Sequence, residues 1–167
     1  MSIQIVEEHG DGGEVHAAIR DGIRAADPSD VGPRDARPLS LSVRGADHAI
    51  VGGLYGLTMW RWLMIDGLWI AEGLRGRGLG GRVLAMAEAL AFERGCKGSW
   101  LGTFDFQARR FYERHGYRVF AELPGFREGH SHFHLAKHFR ASPLRLPGDT
   151  PGSVARTPPP RSPVPPA

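Results

Sequence analysis

Leu68-Trp69-Ile70-Ala71-Glu72-Gly73-Leu74-Arg75-Gly76-Arg77-Gly78-Leu79-Gly80-Gly81-Arg82-Val83-Leu84 is the stretch that decides the fold. An apolar strand runs into a tight loop of small residues, and a helix begins at once. The first turn of a helix carries backbone N–H groups without intrahelical partners, and its dipole adds partial positive charge there. Glycines let an anion approach that backbone closely. Arg75, Arg77 and Arg82 add charge and bidentate donors suited to phosphate. The segment reads as a phosphate cradle.

Two common phosphate ligands are disfavoured by what surrounds it. Counted from Gly76, the run to Gly81 fits Gly-x-Gly-x-x-Gly formally. A dinucleotide site then needs an acid about 20 residues further on, where Trp100-Leu101-Gly102 stands instead. No Gly-x-x-x-x-Gly-Lys-Ser/Thr occurs, which excludes a nucleoside-triphosphate loop.

Working outward, Leu79, Val83, Met86 and Leu90 predict the apolar stripe of a helix running to about Arg94, with Gly95 as its stop. Upstream, Ile3–Val6 reads as a short strand and Glu14–Ala26 as a helix with Val15, Ile19 and Ile23 on one face. Pro28, Gly32, Pro33 and Pro38 mark a loop over 27–38. Leu39–Val43, Ala49–Met59 and Trp62–Ala71 read as three strands. Downstream, Gly98–Thr103 is a strand, Asp105 caps a short helix ending at His115 before Gly116, and Tyr117–Leu123 and Ser131–His138 close the order as strands. Antiparallel strands followed by a strand–helix–strand crossover predict one α/β sheet with helices packed on it.

From Ala141 the composition changes. Nine of the 13 prolines lie in 141–167, with few large apolar residues to offset the entropy of ordering. The expectation is a domain over 1–140 and a disordered, proline-rich tail over 141–167. The net charge of +3 is concentrated there, since Arg145, Arg156 and Arg161 face only Asp149. The rest is nearly neutral and interleaves no basic and aromatic residues, which argues against a nucleic-acid partner. No apolar run approaches the roughly 18–20 residues of a membrane span, and the acidic N-terminus is no secretory signal. A cytoplasmic location is expected. Cys96, the single cysteine, excludes an intrachain disulfide and a cysteine-based metal cluster. It falls at the helix C-terminus, where the dipole disfavours a thiolate, so its role is read as structural.

Arg75-Gly76-Arg77-Gly78-Leu79-Gly80 resembles the pyrophosphate-binding motif of the GNAT superfamily of N-acetyltransferases, Gln/Arg-x-x-Gly-x-Gly/Ala. A second stretch, Gln107-Ala108-Arg109-Arg110-Phe111-Tyr112-Glu113-Arg114-His115-Gly116-Tyr117, is similar to that family's short-helix segment, Asn-x-x-Ala-x-x-Leu/Phe-Tyr-x-x-x-Gly-Phe/Tyr. The small residue, the Phe-Tyr pair and the Gly-Tyr end fit; Gln107 is the nearest amide to the asparagine expected by the helix start. The resemblance covers about residues 3–138, strongest over 63–138.

The resemblance implies a mixed, mostly antiparallel sheet with flanking helices and a splayed central strand pair that opens a slot for a pantetheine arm. It implies acetyl-CoA as co-substrate, its arm bound by the backbone of Ile70, Ala71 and Glu72. The pyrophosphate would lie on amides of Arg75, Gly76, Arg77, Gly78, Leu79 and Gly80, with Gln107 as a further coenzyme contact. An amide near Ala71 would serve the tetrahedral oxyanion. Tyr112 aligns with the general-acid tyrosine that protonates the departing thiolate.

A base is also needed, because an amine is protonated near pH 7. Asp66 is the first candidate, sharing a face with Met64, Leu68 and Ile70 by alternation, or else forming a hairpin-turn Asp-Gly. Glu72 is the second. His130, His132 and His134 are expected on one strand face, roughly 7 Å apart, facing substrate or solvent rather than a metal. Trp60, Trp62 and Trp69 form a candidate acceptor-pocket wall or an aromatic core.

Transfer to a small-molecule primary amine by direct attack in a ternary complex is the leading expectation. A non-catalytic acyl-CoA-binding module and a protein N-terminal or lysine acetyltransferase are the alternatives. Exposed sheet edges leave a homodimer open.

Overall fold

Two consecutive residues in the left-handed region, Trp60 (φ +47°) and Arg61 (φ +65°), turn strand β2 (Ile50–Met59) directly into β3 (Trp62–Ile70). Such two-residue turns match the twist of an antiparallel pair. The computed structural model describes residues 3–10, 12–28 and 32–139. Around this hairpin a six-stranded sheet is built in the order β1-β2-β3-β4-β6-β5. The other strands are β1 (Arg37–Arg44), β4 (Gly98–Phe104), β5 (Arg118–Leu123) and β6 (His132–His138). All neighbours pair antiparallel except β3 and β4, the pair joined by the crossover helix α2 (Leu79–Glu93). This is the α/β mixed sheet that the sequence predicts.

The core lies between the sheet and α2. Leu39, Leu54, Leu63, Ile65, Leu101 and Leu135 point from successive strands into it. From α2 come Val83, Leu84, Ala87 and Ala91, while Met86 is half exposed. The expected stripe through Met86 and Leu90 is therefore rotated. Ala87 and Ala91 on the buried face are both fully buried, where their small side chains fit against the sheet. Gly95 (φ +82°) ends α2 as expected: its N–H donates to Phe92 O at 2.8 Å and the Cys96 N–H to Ala91 O at 2.9 Å. Gly116 (φ +88°) ends α3 (Arg109–Arg114) in the same way.

Two expectations at the N-terminus need correction. Ile3–Val6 is not a strand; Ile3 and Ile5 are 91% and 101% exposed. Period-two alternation identifies two faces, but a strand also needs a ladder partner, and among the described residues none pairs with the outer edge of β1. Helix α1 (Gly13–Ala25) forms with its apolar stripe, yet none of its residues is buried. The predicted tail over 141–167 lies outside the described residues. Among the described residues no helix is long and apolar enough to cross a membrane.

The central pair is splayed. Strands β3 and β4 pair only over Trp62–Ile65 and Gly98–Leu101. Asp66–Ile70 and Gly102–Phe104 then diverge without pairing. A bulge on β3 is the local cause: Tyr55 pairs with Gly67 and Gly56 with Ile65, leaving Asp66 as an extra residue. Bulges increase local twist and bend the strand that carries them. The result is a wedge that opens at the C-terminal ends of β3 and β4, where α2 and α3 begin.

Candidate active site

The cradle forms as its residues dictate. Gly76 (φ +75°) and Gly78 (φ +74°) both take the left-handed backbone that side chains resist, and Gly78 caps α2 with no side-chain hydrogen bond. The first helical bond runs from the Arg82 N–H to Gly78 O at 3.1 Å. The amides of Gly76 to Gly81 meet no acceptor among the described residues. Six consecutive donors at a helix start, flanked by the exposed side chains of Arg77 and Arg82, suit a diphosphate.

Three expected contacts have other partners. The Arg75 N–H donates to Glu72 O at 3.1 Å, within the single 3-10 turn Glu72–Leu74, so this amide does not join the cradle. The Arg75 Nε–H donates to Ile70 O at 3.0 Å and pins the loop to the end of β3. The Ala71 N–H donates to Val51 O at 2.8 Å, extending the β2–β3 ladder, which removes it as an oxyanion donor. The cradle thus runs from Gly76, and Arg75 shapes it from behind.

Tyr112 stands beside it. The helix α3 packs on the first turn of α2: a Cβ on Gly80 would lie 3.4 Å from the Phe111 ring, and one on Gly81 only 2.7 Å from His115 Nε2. The Tyr112 ring is buried, edge-on to Phe111 (5.1 Å) and Tyr117 (5.7 Å). Burial pushes its phenol up, so the hydroxyl stays protonated at neutral pH. That hydroxyl takes no hydrogen bond from the described residues, leaving its proton available. Tyr117 is different: it is bonded to Ser99 across the core, and burial, aided by the Glu88 charge, raises its pKa strongly.

The expected bases are less well set. Asp66 is exposed at the bulge and is no hairpin turn. The extra residue reverses the alternation, so Leu68 and Ile70 fall on the core face with Leu63 and Ile65, and Asp66 does not share their side. Glu72 is exposed as well. Neither carboxylate has a hydrogen-bonding partner among the described residues that would orient it. Gln107 is committed to its own loop, its Oε1 accepting from the Phe104 N–H at 3.0 Å and the Thr103 hydroxyl at 3.2 Å.

A family profile described as the acetyltransferase (GNAT) family matches residues 22–117, more than half of the chain. The chain belongs to the GNAT acetyltransferase family. This acetyltransferase is 46% identical over 99 residues to the blasticidin-S acetyltransferase of Streptomyces morookaense, covering 57% of its own length and 73% of that protein. It is 37% identical over 126 residues to the acetyltransferase Atu2258 of Agrobacterium fabrum, covering 75% and 92%. A crystal structure of an Agrobacterium tumefaciens protein named as an acetyltransferase superposes with a TM-score of 0.77 at 35% identity, covering 82% of this chain and all of that one. The family takes its acetyl group from acetyl-CoA.

On the face of the sheet opposite α2, this GNAT acetyltransferase carries a second cluster. Trp100 and Phe104 from β4 and His132 and His134 from β6 project there, with the two imidazoles 4.8 Å apart and edge-to-face. Phe104 packs on Phe106 (5.1 Å), Phe126 (5.1 Å) and His132 (4.7 Å). Burial, then the neighbouring His134, lowers the His132 pKa. His130 lies in the turn before β6 and packs on Phe106 (4.9 Å), so the strand itself carries two of the three histidines of the expected row. No group of three metal-ligating side chains occurs among the described residues.

The three tryptophans do not form one wall. Trp60 sits in the β2–β3 turn under Arg34, whereas Trp69 is seven residues up β3 from Trp62, about 23 Å away along a strand.

One residue was misassigned by sequence. Asp105 caps no helix; its carboxylate accepts from the Phe106 N–H at 2.8 Å and lies 3.0 and 3.1 Å from His130 Nδ1. A signal was available, because Asp105 stands three residues before Ala108, the place the short-helix pattern gives to asparagine.

Proposed function

We propose that this acetyltransferase moves an acetyl group from acetyl-CoA to the primary amine of a small molecule, by direct attack within a ternary complex. The observation that carries this reading is the run of unpaired amides from Gly76 to Gly81 at the mouth of the β3–β4 wedge. A diphosphate on those amides directs an attached arm into the wedge, between strands whose backbone groups there are unpaired. Ile70, Ala71 and Glu72 border the arm on the β3 side. Their carbonyls each already accept one hydrogen bond, from Arg75 Nε, Leu74 N and Arg75 N, so the Glu72 N–H, which meets no acceptor among the described residues, is the donor left for the arm. The acyl end then emerges toward the face opposite α2, where Trp100, Phe104 and His132 form a surface for an acceptor.

Tyr112 is assigned as the general acid. Its buried, protonated and unpartnered hydroxyl lies on the coenzyme side, where a leaving thiolate needs a proton. Direct attack is favoured because the one thiol is misplaced. Cys96 lies past the far end of α2, about 22 Å of helix from the cradle, and burial pushes its pKa up. The chain has no second cysteine that could carry an acyl thioester near the wedge.

A small-molecule acceptor is supported by the 46% identity to an enzyme named for blasticidin S. The test is release of coenzyme thiol from acetyl-CoA across a panel of amines that includes blasticidin S, aminoglycosides, polyamines, free amino acids and lysine-containing peptides, with calorimetry of acetyl-CoA alone. Saturable thiol release with one class of small amine, with initial-rate lines that intersect, is expected. Acetyl-CoA uptake with turnover only on peptides would move the acceptor to proteins. No uptake of acetyl-CoA would remove the reading.

A further inference from the structure

The wedge separates two faces, and a proton has to be handled on each. Tyr112 serves the face of α2 and α3. On the other face, the turn after β4 and the turn before β6 are tied together at Asp105, whose N–H donates to Ser131 O at 3.1 Å. The Asp105 carboxylate is fixed by the Phe106 N–H on one side and by His130 on the other. The His130 hydrogen bond, and then the backbone donors, hold its carboxyl below the usual carboxylate range, so it is ionised whenever an amine substrate would be acetylated.

Resting on the reading that this wedge holds the thioester, we propose that His130 is the general base for the acceptor amine and that Asp105 is its positioning residue. An ionised carboxylate against Nδ1 selects the tautomer with the proton on that nitrogen, leaving Nε2 with a lone pair. Nε2 has no partner among the described residues. The ring plane is set by Phe106, edge-to-face at 4.9 Å and 71°. The backbone is set by the turn itself: the Phe126 N–H donates to His130 O at 3.0 Å, and Glu128 (φ +59°) and Gly129 (φ +81°) reverse the chain. The side chains of His130 and Asp105 are 40% and 39% exposed, open enough to meet a substrate. By contrast, Asp66 and Glu72 have no partner among the described residues to orient them.

Position supports the role as well as orientation. Asp105 directly follows Phe104, the last residue of the β4 segment that forms one wall of the wedge. Tyr112 belongs to the helix packed on the first turn of α2, whereas His130 packs on Phe106, which stacks on Phe104 of the cluster opposite α2. An ammonium gives one proton to His130 Nε2; the freed nitrogen forms the C–N bond as the C–S bond breaks. A second proton leaves that nitrogen through the same imidazole once it has discharged to water. The thiolate takes the Tyr112 proton, and water restores the phenol.

The experiment uses the full chain, acetyl-CoA and the panel amine of highest turnover, comparing wild type with His130→Ala, His130→Gln and Asp105→Asn. Acetyl-CoA affinity by calorimetry and melting temperature serve as controls. His130→Ala is expected to lower kcat roughly 100-fold or more, with acetyl-CoA affinity unchanged, and to recover turnover on addition of free imidazole. His130→Gln, which keeps a hydrogen bond to Asp105, is expected to lose the same activity while keeping the turn folded. Asp105→Asn is expected to lower kcat about 10-fold or more with KM for the amine little changed.

Wild-type turnover with His130→Gln at full rate, or a His130→Ala loss that imidazole does not relieve, overturns the base assignment alone. A wild type that binds acetyl-CoA and acetylates nothing in the panel removes the underlying reading, and the His130 role with it.

Discussion

The place a Cβ would take on Gly81, in the first turn of α2, lies 2.7 Å from His115 Nε2 at the end of α3. The imidazole cannot swing aside freely, because its Nδ1 is 2.7 Å from Phe111 O. The anion cradle and the helix bearing Tyr112 are therefore in direct contact, and each fixes the other. Gly81→Ala is expected to destabilise by about 1–3 kcal/mol through overpacking, less the helix-propensity gain. Urea unfolding of Gly81→Ala, His115→Ala and the double variant should show that removing the imidazole relieves the alanine; strictly additive losses would deny the contact.

Tyr112→Phe removes the proposed acid without changing volume. Turnover should fall on the order of 100-fold, while calorimetric affinity for acetyl-CoA stays within about twofold. An unchanged kcat would return Tyr112 to the role of a packed aromatic.

Gly78→Val forces a β-branched residue into φ +74° at the helix N-cap. The strain costs about 1–2 kcal/mol and reorients the amides on either side of it. Acetyl-CoA affinity should drop at least tenfold, with a smaller fall in melting temperature. Full affinity in this variant would argue that the diphosphate rests elsewhere.

The Lys137 ammonium on β6 donates to Glu88 Oε2 on α2 at 2.6 Å, while Glu88 Oε1 is buried without a hydrogen-bond partner among the described residues. Lys137→Met leaves that carboxylate uncompensated beside Tyr117 and should destabilise by about 2–3 kcal/mol. Adding Glu88→Gln to it should restore most of the loss in urea melts. This pair supports the core under β4 and β6, so acetyl-CoA affinity of the folded variant should be unaffected.

Burial raises the Cys96 pKa, so the thiolate fraction at pH 8 falls below that of a free cysteine. Alkylation by iodoacetamide in native buffer should be slow and become complete in denaturant, as read by intact mass. Rapid native labelling would contradict the buried placement.

What the sequence determined by itself was everything governed by short-range chemistry. Gly76 and Gly78 before an apolar stripe specify a helix start with open amides, whatever surrounds them. Gly95 and Gly116 specify helix stops, because left-handed backbone is cheap only there. The strands from Leu39 to His138 were legible because their alternation is local. The fit of Arg75–Gly80 and Gln107–Tyr117 to two family patterns was legible for the same reason.

Tertiary structure alone decided the rest. Whether a strand finds a ladder is a long-range matter, so Ile3–Val6 alternates without pairing. The bulge at Asp66 depends on register against Tyr55 and Gly56, and one inserted residue moves Leu68 and Ile70 to the other face. Which stripe of α2 is buried, Val83, Leu84, Ala87 and Ala91 in place of Met86, depended on how the helix packs on the sheet. The Asp105–His130 pair spans 25 residues of sequence and two turns. No periodicity links them; only the β4–β6 ladder, by placing Phe104 opposite His132, brings that carboxylate and that imidazole within a hydrogen bond.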